Sequence, residues 1–318
     1  MADIAIIGGT GFIGKNIIWR LQMVYDKVYC ISKSKEKFTA CTFNSNVIHV
    51  SADLSRQEYV EFFNDNRIEY LIDPAYTTVP KTSFDDPLND ISSNLITTVG
   101  VFEWAKETNI KKLIWVSTGG AIYGQTEDKL LDERHPVNPI SPYGITKLAI
   151  EKFAYMYYKL FNLPVVCLRP SNAYGPYQEP FRGQGFIATV IASILQNKTV
   201  QLYGESGTIR DYIHVNDLCS ALIKTLENGK AGEVYNVGTG IGLNNLDILE
   251  KLKSYASEIP IEVKVELLPS RPFDVRYNVL DSTKLRAHTG WAPETGFDDG
   301  LRKTWEWYLK RYKDGLLN

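Results

Sequence analysis

The amino-acid sequence predicts a doubly wound α/β fold, a Rossmann-type lobe on a parallel sheet, with a second and smaller α/β lobe. Short apolar, β-branched runs alternate with segments of helical period through the first two thirds of the chain. The first run leads into a glycine-rich turn, "GGTGFIG". The alternation stops at Pro170, where "SNAYGPYQEPFRGQG" makes a connection longer than the ~12 to 15 residues of ordinary loops.

The strands are expected at "IAII", "KVYCI", "NVIHV", "YLID", "KLIWVS", "PVVCLRP" and "GEVYNV". They are apolar on both faces, as strands covered by helices on both sides are. Amphipathic stretches at 11–23, 94–107 and 144–160 supply such helices. Residues 215–240 form another helix-strand unit of the first lobe, which makes the second lobe discontinuous. The sheet lobe is therefore expected at 1–170 plus about 215–240, and the smaller lobe at about 171–214 plus 241–318. A prior of ~150 residues per domain agrees with two lobes in 318 residues.

Hydrophobic residues are 44% of the chain and charged residues 23%, an ordinary globular composition. A net charge of -2 offers no basic field for nucleic acid or an anionic membrane, so the partner expected is a small molecule. Cys30, Cys41, Cys167 and Cys219 are scattered, which suggests neither a disulfide framework nor a metal site and fits a cytoplasmic protein. The N-terminus lacks the features of a signal peptide, and no apolar stretch approaches the ~20 residues of a membrane span.

In "GGTGFIG", Gly8, Gly11 and Gly14 open a helix directly after a strand. Such glycines let the backbone, here also Thr10, Phe12 and Ile13, approach a pyrophosphate that faces free helix N–H groups and the helix dipole. This is a dinucleotide site. An acid ~20 residues further on would hold the ribose 2'-hydroxyl of NAD. The sequence has "VYCISKSKEK" there, and Ser32, Lys33 and Lys35 would welcome a 2'-phosphate. NADP(H) is favoured on that ground, with NAD as the alternative. Asp53, with Leu54 beside it, follows the third strand where adenine is expected, and "GTGIG" at 238–242 is read as a loop.

"KLIWVS" delivers Ser117 and Thr118 to the carboxyl edge of the sheet, where open α/β folds bind ligands. A base must be within reach. Tyr143 and Lys147 in "SPYGITK" lie four apart on one helix face, so the lysine cation favours the ionised tyrosine and can also reach a nicotinamide ribose. Tyr155 and Lys159 share that spacing but fall in mid-helix, and they are read as packing and surface. Tyr143 follows "SP" at a loop-to-helix junction, the position expected of the reacting pair.

With "GGTGFIG", "STGG" and "YGITK" in this order, the chain resembles the extended short-chain dehydrogenase/reductase family, in its nucleotide-sugar epimerase, dehydratase and reductase branch. Asn94, "RPSNAYGP", "VQLYG", "RDYIHVNDL", "YNVGTG" and "RPFD" agree. The resemblance implies that Thr118, with Ser117 as neighbour, holds the sugar oxygen, Tyr143 moves its proton and Lys147 anchors the cofactor. It implies that Asn172 and Arg210 hold the diphosphate of a nucleoside-diphosphate sugar, Leu202 and Tyr203 its base, and Arg271 with Asp274 its phosphate and ribose. Asn278 in "RYNVLD" is expected to face the sugar, and helices 94–107 and 144–160 to pair in a homodimer, as in relatives.

Two departures bear on the reaction. Dehydratases of the family carry an Asp-Glu pair directly after the threonine, whereas Gly119, Gly120 and Ala121 stand here. Many of its 4-epimerases carry "DNL" and a glycine after the second strand, whereas "ISKSKEKF" stands here. The leading expectation is an NADPH-dependent reductase of a 4-keto hexose nucleotide. The alternative is an NAD-dependent 4-epimerase of the UDP-glucose or UDP-N-acetylglucosamine type, and a remote third is a non-catalytic dinucleotide sensor. Whether Ser117 or Thr118 is the key hydroxyl stays open at this level.

Overall fold

The structure, a computed structural model, describes residues 2–204, 206–259, 261–270 and 275–317. The first lobe begins with β1 (Asp3–Ile7), β2 (Val28–Ser32), β3 (Val47–Ser51), β4 (Ile68–Asp73), β5 (Lys112–Val116) and β6 (Val165–Pro170). The second contributes β7 (Asn172–Tyr174), β8 (Val200–Tyr203) and β9 (Ile209–His214). The chain then returns to the first lobe with helix Val215–Asn228 and β10 (Val234–Val237). It ends in the second lobe with β11 (Gly242–Asn244), β12 (Val265–Leu268), β13 (Tyr277–Asn278) and the closing helix Phe297–Lys313.

The main sheet is parallel throughout, in the order β10-β6-β5-β4-β1-β2-β3. Every strand expected from the sequence takes a place in it. β2 and β6 are buried along their whole length, which explains why their sequences show no polar alternation. One face packs Ile17, Ile18 and Leu21 of helix Phe12–Leu21 with Leu218 and Leu222 of helix Val215–Asn228. The other packs Phe63, Phe102, Trp104, Ile150 and Tyr157 from helices Arg56–Asp65, Ile96–Ala105 and Pro142–Phe161. Each fully buried side chain of this size contributes about 1.5–3 kcal/mol, so both faces are needed to hold the sheet.

β1 pairs with β2 on one side and β4 on the other, so the winding reverses there. The crevice outside the carboxyl ends of β1 and β4 is where such sheets bind ligands. The second lobe leans over that edge. Its core gathers Ile191, Leu249 and Trp305 from helices Phe186–Leu195, Asn245–Ala256 and Phe297–Lys313. β9 carries β7, β11 and β13, and β8 pairs with β12.

Two elements differ from those expected, and Leu285 and Trp291, expected in the second lobe, pack into the core of the first. The helix expected at 94–107 starts as a π-helical turn at Ile91–Leu95, in which the Asn94 amide donates to the Asp90 carbonyl at 2.9 Å. Such turns cluster at functional sites. The long connection after Pro170 contains β7, because three of its residues add to β9. No helix among the described residues is long and apolar enough to cross a membrane.

Candidate active site

The site begins at the glycine turn. Gly8 adopts φ +73°, a left-handed conformation that a Cβ would strain, and its N–H donates to the Ile31 carbonyl at 2.9 Å. A Cβ on Gly14 would stand 2.3 Å from the Gly8 carbonyl oxygen, so the helix can press its first turn onto the strand exit only with glycine there. Gly11 precedes the helix without any side-chain cap, which leaves the first-turn N–H groups of Phe12 and Ile13 to an outside acceptor. Half-exposed Thr10 lies beside them. A turn of this shape fits a dinucleotide pyrophosphate.

At the end of β2 the structure separates the three residues assigned to a 2'-phosphate. Ser32 is buried, its hydroxyl 3.1 Å from His49 Nε2 and donating to the Ser34 carbonyl at 3.3 Å, so it is already engaged within the protein. Lys33 and Lys35 are exposed, with no ion-pair partner among the described residues. Asp53 is exposed, and its N–H donates to the Ser51 hydroxyl at 3.2 Å. Leu54 packs onto the core beneath it. Asn94 is buried and accepts from the Thr77 N–H at 2.8 Å while donating to the Thr78 hydroxyl at 3.1 Å, so it fastens the loop after β4.

The two hydroxyls after β5 point apart. Ser117 donates to Glu151 Oε1 at 2.6 Å, and Arg169 grips both Glu151 oxygens at 2.9 and 2.6 Å. Arg169 also donates to the Tyr123 hydroxyl at 3.0 Å, which donates to Asn236 at 2.6 Å. Ser117 thus belongs to a closed, buried network. Thr118 faces the cavity instead.

Tyr143 sits in the first turn of helix Pro142–Phe161. Ser141 caps that helix by accepting from Gly144 N–H at 3.2 Å, with proline at the position where a missing N–H costs nothing. The Tyr143 N–H donates to the Ser83 hydroxyl at 3.1 Å. Burial pushes its phenol up to about 12; the Thr118 hydroxyl acts to lower it and the Asp90 carboxylate to raise it. Lys147 donates to the Val116 carbonyl at 2.7 Å. Its ammonium lies 3.9 Å from the centre of the Tyr76 ring, 4.6 Å from Trp115 and 5.8 Å from Tyr143. Burial lowers Lys147 to about 7, against the pull of Asp73, Glu151 and Asp90.

A cavity of about 540 Å³ opens in front of this pair, lined by Thr118, Tyr143, Asn172, Leu202, Tyr203 and Arg210. The structure therefore brings together residues drawn from both lobes. The Asn172 amide nitrogen is buried without a partner among the described residues, a donor left for a ligand. Asn278 is placed elsewhere: it is buried behind the turn and donates to the Gly119 carbonyl at 3.0 Å, so it braces the backbone beside Thr118. Arg271 and Asp274 lie outside the described residues. Sequence reasoning missed Lys81, Gln178 and Lys198 on the cavity wall, and Asp73, Tyr76 and Asp90 around Lys147. The first group lies in polar segments without a motif, and the second is defined only by which strand ends meet.

Residues 4–238 match the family model described as "NAD dependent epimerase/dehydratase family". A UDP-glucose 4-epimerase of Thermotoga maritima, solved with UDP-glucose, is 30% identical, with a TM-score of 0.87 over 97% of this chain and 99% of that one. A UDP-glucose 4-epimerase of Thermus thermophilus, solved with NAD, is 31% identical, with a TM-score of 0.87 over 96% of this chain and 99% of that one. A dTDP-glucose 4,6-dehydratase of Streptomyces niveus is 30% identical over 318 residues, 96% of this chain and 92% of its own. With the glycine turn, the tyrosine-lysine pair and the shared fold in one chain, the protein is an enzyme of the NAD-dependent epimerase/dehydratase family.

Proposed function

We propose that the protein is a 4-epimerase of a nucleoside-diphosphate hexose, which takes a hydride from C4 and returns it to the opposite face of the ring. The observation that carries this is the sparse equipment of the cavity at its reacting end, one threonine hydroxyl and one buried phenol followed by glycines. A 4,6-dehydration needs a further acid-base pair, and Gly119, Gly120 and Ala121 stand where that pair would be, with the backbone oxygens of Arg169 and Pro170 crowding any side chain at 119. Whole-chain likeness to two UDP-glucose 4-epimerases supports the same reading.

The bound dinucleotide supplies the hydride acceptor and donor. Tyr143 takes the proton of the C4 hydroxyl as the hydride leaves and gives it back on return. Thr118 holds the same oxygen, and its hydroxyl lowers the phenol from the level to which burial raises it. Asn172 and Arg210 hold the diphosphate, Leu202 and Tyr203 the base.

A second reading, NADPH-dependent reduction of a 4-keto hexose nucleotide, draws on the exposed Lys33 and Lys35, without an ion-pair partner among the described residues, where a 2'-phosphate is expected. The deciding experiment incubates the protein with UDP-glucose, and separately with UDP-N-acetylglucosamine, without added cofactor. The C4 epimer is expected as product. No epimer, together with NADPH consumption in the presence of a 4-keto nucleotide sugar, would replace the first reading by the second.

A further inference from the structure

We infer that Asp73 is a positioning residue for Lys147, its carboxylate at the end of β4 holding the charge of the buried ammonium behind Tyr143. The inference rests on the reading of Tyr143 and Lys147 given above. Asp73 is the last residue of β4 and stands in register opposite Trp115 of β5. The next residue of β5, Val116, gives its carbonyl to Lys147, so two neighbouring strand ends converge on one ammonium. Asp73 and Lys147 are each only 2% exposed.

An ammonium taken out of water needs a compensating charge, because neutral contacts repay only part of its lost hydration. The groups around Lys147 can be compared one by one. The Val116 carbonyl and the rings of Tyr76, Trp115 and Tyr143 are neutral. Glu151, one turn along the same helix, is gripped at both oxygens by Arg169, so its charge is already matched. Burial raises the Cys167 thiol on β6, which keeps it neutral. Asp90 spends Oδ1 on the Thr78 hydroxyl and the Asn94 amide, and its Oδ2 is buried without a hydrogen-bond partner among the described residues. It is thus the other carboxylate near Lys147 without a counter-cation, and its pull on the ammonium ranks behind that of Asp73.

Asp73 accepts from the Ala75 N–H at 3.0 Å, and the cation acting on it is Lys147. Burial raises Asp73 to about 7 and lowers Lys147 to about 7, and each opposes the shift of the other. The pair therefore loses its ionic form when either member is neutralised.

The direct test is NMR of protein carrying 13Cε-lysine, with the Lys147 signal identified by its loss in Lys147→Arg. Asp73→Asn keeps the shape and removes the charge, and should lower the Lys147 titration midpoint by about one pH unit or more, while Asp90→Asn moves it less. Turnover should follow, with the alkaline limb of the pH profile displaced to lower pH and the KM for the sugar nucleotide changed less than kcat. Asp73→Glu, which keeps the charge, should restore both. An unchanged midpoint in Asp73→Asn, or a larger shift in Asp90→Asn, overturns the inference. Normal turnover by Lys147→Met would instead sink the role of the tyrosine-lysine pair, and the NMR midpoint would still decide the role of Asp73.

Discussion

Helix Pro142–Phe161 carries two tyrosine-lysine pairs of identical spacing, Tyr143 with Lys147 and Tyr155 with Lys159. They stand twelve residues apart, which at 3.6 residues per turn rotates the second pair by about 120° around the helix. The first pair is buried at the carboxyl edge of the sheet, beside Thr118 and Tyr76 and within electrostatic reach of Asp73. In the second, Tyr155 is 55% exposed and the Lys159 ammonium lies 5.5 Å from its ring in solvent. Spacing sets the geometry within a pair. Burial and the neighbouring charges give one pair its chemistry and leave the other as surface.

The largest effect should separate the two pairs. Tyr143→Phe is expected to lose about 10²- to 10⁴-fold in turnover, the range of general acid-base catalysis. Tyr155→Phe and Lys159→Met should stay within about twofold. Equal losses at Tyr143 and Tyr155, measured on one nucleotide sugar, would erase the distinction.

A second contrast lies in the adjacent hydroxyls Ser117 and Thr118. Ser117→Ala unties one hydrogen bond of a buried carboxylate and should cost about 1–3 kcal/mol, seen as a melting temperature lower by several degrees. Its turnover should hold. Thr118→Val should do the reverse, keeping its melting temperature near the parent's and losing activity. A Ser117→Ala protein as stable as the parent but slower would reassign the catalytic hydroxyl.

The smallest effect concerns exposed lysines, the counterpart of buried Lys147. Replacing Lys33 and Lys35 by alanine should weaken NADPH a few-fold at most, since solvent-exposed charges contribute about 0.2–1 kcal/mol each. NADH should be unaffected. Parallel losses for both dinucleotides would show that these lysines do not read a 2'-phosphate.

Much of this was legible without coordinates. Each strand of the main sheet shows as a short apolar run because both faces of that sheet are covered, and the glycine turn shows because only glycine tolerates the conformation of Gly8 and the contact at Gly14. Tyr143 could be preferred to Tyr155 from the "SP" before it, which marks a helix start. The direction of Ser117 could not be read. Serine and threonine are adjacent in the chain, and the one that turns inward is chosen by Glu151 and Arg169, from a helix and a strand far along it.

The sequence by itself determined the elements that depend on neighbouring residues: strand runs, helix starts, the dinucleotide turn and the pairing of a tyrosine with a lysine. The tertiary structure alone decided which hydroxyl meets the cavity, that Asn278 braces Gly119, and that Asp73 and Lys147 share a buried site. The physical reason is that backbone preference and periodicity are local, whereas desolvation and charge pairing depend on which distant strand ends the fold brings together.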